Sequence, residues 1–265
     1  MVIFLRLFIF VIIFYTGIAS AETRSDKCSD DTYVIVGQEL NIKNFRQEGS
    51  VVSETCKIWP SNDNILLAAF AYGVGDQNLE DPTMAVFVAM INIKTKHIIS
   101  SYRTEVEQDA LTQFAQNSLW LDTARYQLAK DVKAFGLQFT SLATGPSCAE
   151  GGRNDELILF VPEGNKLRVV FDYFTQQQKS ISGECGDDSH VHYWQTAMLT
   201  FGIEKTSTNG FHNLVTTARI TNTGNMKEHI EHYVLRYDGK TYKTGNSQPW
   251  WLDNTDSAFS GVGAH

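Results

Sequence analysis

Short runs that alternate apolar and polar residues, broken by Gly-, Asn- and Asp-rich turns, recur along most of this chain. A period of two places alternate side chains on opposite faces of an extended strand, and it does not suit a helix. The pattern predicts strands at 32–42, 64–73, 83–93, 97–106, 118–128, 132–142, 156–162, 166–176, 192–204, 211–222, 231–237 and 240–245. Residues 109–116, DALTQFAQ, form the one segment with a helical pattern. Short connections join neighbours at Lys94-Thr95-Lys96, at Glu163-Gly164-Asn165, around Ser207 and at Asp238-Gly239. Asp-Gly suits the positive φ angles of a two-residue hairpin. The expected fold is all-β, with antiparallel meanders forming a sandwich or a barrel.

A weak repeat offers an alternative. AAFAYG, AFGLQFT and TAMLTFGIE, starting near residues 68, 134 and 197, each precede further strand-like runs. A spacing of about sixty residues exceeds the ~40–45 of a typical propeller blade, but a propeller-like ring of such quasi-repeats is the second expectation. Residues 22–265 are expected to form a single β-rich domain, or two packed halves with a boundary near 143–155.

Residues 1–21 read as an export signal: Arg6, the apolar run LFIFVIIFYTGI, then Ala19-Ser20-Ala21 at a cleavage site. Export permits disulfides, and the spacing of Cys28, Cys56, Cys148 and Cys185 favours the pairs Cys28–Cys56 and Cys148–Cys185. With 22 basic and 30 acidic residues, the chain has a formal net charge of −8. That balance, with no basic stripe, excludes nucleic acid and fits a protein partner, basic if charge steers it. The absence of an Asn-x-Ser/Thr sequon adds to the case for a bacterial periplasm, with secretion as the other destination. No membrane insertion is expected once the signal is removed.

LDTARYQLAKDVKAFGLQF, LILFVPEGNKLRVVFDYF and CKIWP together resemble a group of uncharacterised exported bacterial proteins, and YDGKTY is similar to the tails of periplasmic β proteins. The resemblance implies β structure and export, and it implies no activity.

Five of the seven histidines lie between residues 190 and 232. His190 and His192, two apart on a strand, share a face about 6–7 Å apart, close enough for one ion. A zinc-like divalent site would add His229 or His232, with Asp187 and Asp188 as oxygen ligands or imidazole partners. His212 falls at the far end of its hairpin and cannot join. The competing reading is a solvated loop beside Cys185, with no cofactor. Trp250 and Trp251 form the other candidate: adjacent on a strand, one packs inward while the other meets a ligand.

The serines near glycines in GPSCAEGG and TGNSQPW do not form Gly-x-Ser-x-Gly, and GVGDQ is not a dinucleotide loop. The expectation is therefore a non-catalytic, inhibitor- or immunity-like binding protein with a protein partner. One alternative is a metal-dependent hydrolase using Asp187, Asp188 or Glu231 as base. The other is a carbohydrate- or envelope-binding module.

Overall fold

The computed structural model describes residues 27–145, 149, 151–182, 193–223, 225–245, 247–252, 257 and 259. Residues 1–21, expected to be an export signal, and Cys148, Cys185, Asp187, Asp188, His190 and His192 lie outside the described residues.

Two helices come first, α1 (Asp30–Leu40) and α2 (Phe45–Glu48). The strands are β1 (Val51–Ile58), β2 (Ile65–Gly73), β3 (Thr83–Asn92), β4 (His97–Glu107), β5 (Leu119–Ala129) and β6 (Val132–Phe139). They continue as β7 (Gly151–Glu163), β8 (Lys166–Ser182), β9 (Tyr193–Thr208), β10 (Phe211–Asn222), β11 (Asn225–Tyr237) and β12 (Tyr242–Lys243). A 3-10 turn, η1, covers Trp250–Leu252.

The strands form one 12-stranded, mainly antiparallel sheet that forks at β8. One edge of β8 pairs with β7. The other meets β4 in parallel at Lys166–Ser101 and pairs with β9 from Gln176 to Ser182. The path folds into layers. The middle layer, β5 to β8, packs one face on β1 to β4 through Leu67, Val86, Val88, Leu121, Phe135 and Phe160. Its other face packs on β9 to β12 and η1 through Leu128, Leu159, Phe171, Leu199, Leu214 and Trp251. The helices cover the outer face of β1 to β4.

This layering explains why β2, β3 and β7 carry nearly continuous apolar runs rather than clean alternation: both of their faces are buried. The all-β antiparallel expectation holds in sandwich form. The continuous pairing path does not divide into the separate blades of a propeller.

Three local expectations are corrected. The predicted strand at 32–42 is α1, despite the β-branched Val34-Ile35-Val36. Ser29 caps it by accepting from Thr32 N at 3.3 Å, Asp30 and Asp31 face the helix N-terminus, and Asn41 ends it at φ 59°. Tyr33 and Val36, three apart, reach the core, so tertiary burial overrides propensity. The predicted helix at 109–116 is irregular. The Asp109 carboxylate accepts from Leu111 N and Thr112 N at 2.7 Å each, the local bonding by which Asp competes with a helix. Unpredicted β1 buries Ser53, Thr55 and Cys56, a polar set that hydrophobic patterning passes over.

Turns were partly legible. Gly164, at φ 63°, and Asn165 make a two-residue connection between Glu163 and Lys166. The β9–β10 turn is Asn209-Gly210, both at positive φ, rather than Ser207. Asp238-Gly239 opens a four-residue loop, not a two-residue one. Asp238 accepts from Lys240 N and Thr241 N at 2.8 Å, leaving Tyr237 opposite Tyr242.

The Cys28–Cys56 disulfide ties the start of α1 to β1. Gly37 lets α1 and α2 close on each other, since a Cβ there would come within 2.8 Å of Ile42 O and 2.9 Å of Phe45 Cβ, and Gly49 leaves room for the Phe45 ring at the end of α2.

Candidate functional site

The face of β7 and β8 that packs against β1 to β4 runs on beyond the end of that core. Ile158, Phe160 and Val169 lie inside it. Farther along, Gln176 and Gln178 follow Phe174 on the same face, opposite Asn154 and Gly152 on β7 and Met198 and Thr196 on β9. There the layers part to leave a cleft of about 280 Å3. Gln176, Gln178, Trp194, Gly152, Arg153 and Asn154 line it, with Leu111 and Ser141 on the opposite wall. Asn154 is held in place: its carbonyl accepts from Ser141 N at 2.9 Å and its amide donates to Ser141 O at 3.0 Å. The Arg153 guanidinium lies 5.5 Å from the centre of the Phe174 ring.

Below the cleft is a cavity of about 20 Å3, room for one water, which shares Leu111, Ser141, Arg153 and Asn154 with the cleft and reaches Glu156. Glu156 is 0% exposed. Asp172, its diagonal neighbour on β8, is also buried. Ser257 bridges them: its hydroxyl stands within hydrogen-bonding distance of Glu156 Oε1, lies 2.5 Å from Asp172 Oδ2, and accepts from Phe259 N at 3.2 Å. A hydroxyl has one proton to donate, so both contacts are satisfied when one carboxyl is protonated and donates to the serine oxygen.

Burial pushes the Asp172 carboxyl above the usual carboxylate range, more than its bonds to Glu156 and Ser257 pull it down. Burial also raises the nearby Tyr102 phenol, against a hydrogen bond with Thr104, and the charges of Asp172 and Glu156 add to the rise. The pair therefore keeps a proton to a higher pH than an exposed aspartate does.

This sets a pH dependence. A carboxyl raised in the folded state keeps its proton after the unfolded chain has lost it, so folding is favoured below the ordinary aspartate value of about 3.9. The advantage disappears as pH rises through the folded value. Asp172→Asn mimics the protonated form. In denaturant titrations from acid to neutral pH, the variant is expected to gain stability relative to the native chain as pH rises. A constant difference would contradict the assignment.

Of the predicted metal residues, His190, His192, Asp187 and Asp188 lie outside the described residues, and the two that are described lie on opposite faces of β11. His229 Nε2 lies 3.2 Å from Glu231 Oε1, whereas His232, three residues on and so on the opposite face, contacts Thr217 Oγ1 at 3.0 Å. His212 pairs with Ser207 at 3.1 Å. Among the described residues, no three His, Cys, Asp or Glu gather to hold a metal. Glu231, the candidate base, accepts from Trp251 Nε1 at 2.7 Å. Trp251 is 1% exposed and closes a core, while half-buried Trp250 lies under Lys179 Nζ at 4.7 Å. No described helix is long and apolar enough to cross a membrane.

A wider groove of about 810 Å3 lies along α1 and α2. Its Arg46 pairs with Asp30 and stacks 5.1 Å over Tyr33. The cleft residues were missed from sequence because they sit within strand runs. The available signals were an aspartate inside the apolar run VVFDYF and the amide run Gln176-Gln177-Gln178.

No family model, curated protein or solved structure matches this chain.

Proposed function

We propose that the chain is a non-catalytic binding protein acting after export, in the periplasm or outside the cell, and that the cleft over β7 to β9 receives its ligand. The observation that carries this is the division of chemistry along one sheet face. The paired carboxylates suited to acid–base work are sealed beneath Ser257 and Phe259, while the open part presents amides, a guanidinium and an indole. Those groups recognise polar molecules without transforming them. The Cys28–Cys56 disulfide and the leader-like segment at 1–21 support the compartment.

A protein partner is the second reading, favoured by the continuation of the same sheet face onto β9 to β11, beyond the cleft. Met198 and Ile230, 45% and 46% exposed, flank Arg219 in one cross-strand row. The cleft alone is too small for a stable protein interface, which needs about 800 Å2 from each partner.

Native mass spectrometry of the chain isolated from its own source, beside Gly152→Phe, separates the two readings. A Cβ at Gly152 meets Gln178 Oε1 at 3.6 Å, an ordinary contact, so the backbone there accepts a side chain that would extend over the cleft. A retained mass lost in the variant supports the cleft, and one kept in both moves binding to the surface of β10 and β11 beyond it.

A further inference from the structure

The geometry points to a saccharide as the ligand of the cleft, with one sugar ring on Trp194 and its hydroxyls bonded by Gln176 and Gln178; this rests on the cleft being the binding site. Three features carry the assignment. First, a primary amide offers donors and an acceptor in one plane, which matches a hydroxyl pair in which each group both donates and accepts. Gln176 and Gln178, two apart on β8 with backbones about 6.6 Å apart, carry two such amides on one face, that of Gln178 oriented by donating to Thr196 Oγ1 at 3.3 Å. Second, an indole supplies a flat apolar surface for the carbon–hydrogen face of a ring beside a polar edge. Third, among the described residues the lining contains no carboxylate and one cation, Arg153, a set that suits neutral or acidic sugars better than cationic ligands.

The backbone argues against an extended peptide. Peptides commonly dock by adding to an open strand edge, and β8 is paired on both edges here, Gln178 with Gly152 on one side and Thr196 on the other. Recognition is left to side chains. A volume of about 280 Å3 sits at the lower end of small-molecule sites, room for a ring or two of a longer chain.

The test is titration of the whole chain with cellotriose, maltotriose, chitotriose and triglycine, followed by indole fluorescence and amide NMR shifts. A saturable response to at least one trisaccharide is expected, with shifts at residues 151–154 and 176–178. Trp194→Ala is expected to weaken it about tenfold, the loss of an aromatic contact of about 1.4 kcal/mol. Gly152→Phe is expected to abolish it with an unchanged melting midpoint. No saturable response to any of the three sugars overturns the assignment. If triglycine alone responds and Gly152→Phe blocks it, the cleft stands as a binding site and the saccharide does not. A sugar response that survives in Gly152→Phe places binding elsewhere and overturns both.

Discussion

Replacing Trp251 with alanine is expected to cost about 3–5 kcal/mol, the range for emptying a buried tryptophan site. The side chain is 1% exposed and lies in the cluster between the middle layer and β9 to β12. Its indole N–H also holds Glu231 Oε2 at 2.7 Å, joining η1 to β11. The two contributions separate experimentally. Trp251→Phe keeps most of the apolar volume and loses the hydrogen bond, so it should cost markedly less than alanine. Urea unfolding followed by far-UV circular dichroism measures both. A loss below about 1 kcal/mol for alanine, the scale of an ordinary surface change, would mean that this layer is not packed as described.

The Cys28→Ser/Cys56→Ser double variant is expected to lose roughly 3–4 kcal/mol, the chain-entropy value for closing a loop of this length. The sequence separation is 28 residues, spanning all of α1 and α2. At 11 residues, α1 is too short to be stable alone in water, so its order depends on docking. Without the covalent tie, the helices are held by apolar contact of Tyr33, Val36 and Phe45 with Phe70, Ala85 and Phe87, and by exposed polar ties such as Lys96 Nζ to Asp31 Oδ2 at 2.7 Å. The double variant should therefore show faster amide exchange at residues 30–40 before the sheet unfolds. Equal exchange and equal stability would show that the staple adds nothing to docking. Double substitution is preferable to reduction because it leaves Cys148 and Cys185 untouched.

How much of this was legible in the sequence follows from what patterning reports. It reports one strand's relation to water, so β2 through β8 were found, the two-faced burial of ILLAAFAYG and TMAVFVAMIN included. It fails where local preference and tertiary burial conflict, as in Val34-Ile35-Val36 of α1, and where the buried face is polar, as with Ser53 and Thr55 of β1. The candidate site was beyond it for a further reason. Ser257 meets Glu156 and Asp172 across 101 and 85 residues of sequence, and Gln178 sits between Gly152 and Thr196 only because β8 forks the sheet. Trp250 and Trp251 drew attention as adjacent aromatics, but Trp251 belongs to a core and the indole in the cleft is Trp194.

The most direct test of the account is hydrogen–deuterium exchange on the native chain, alone and with the soluble contents of the compartment it occupies. The account predicts added protection at residues 151–154, 176–178 and 194, around the cleft. Protection confined to Arg219 and Ile230 on β10 and β11, or to α1 and α2, would contradict it.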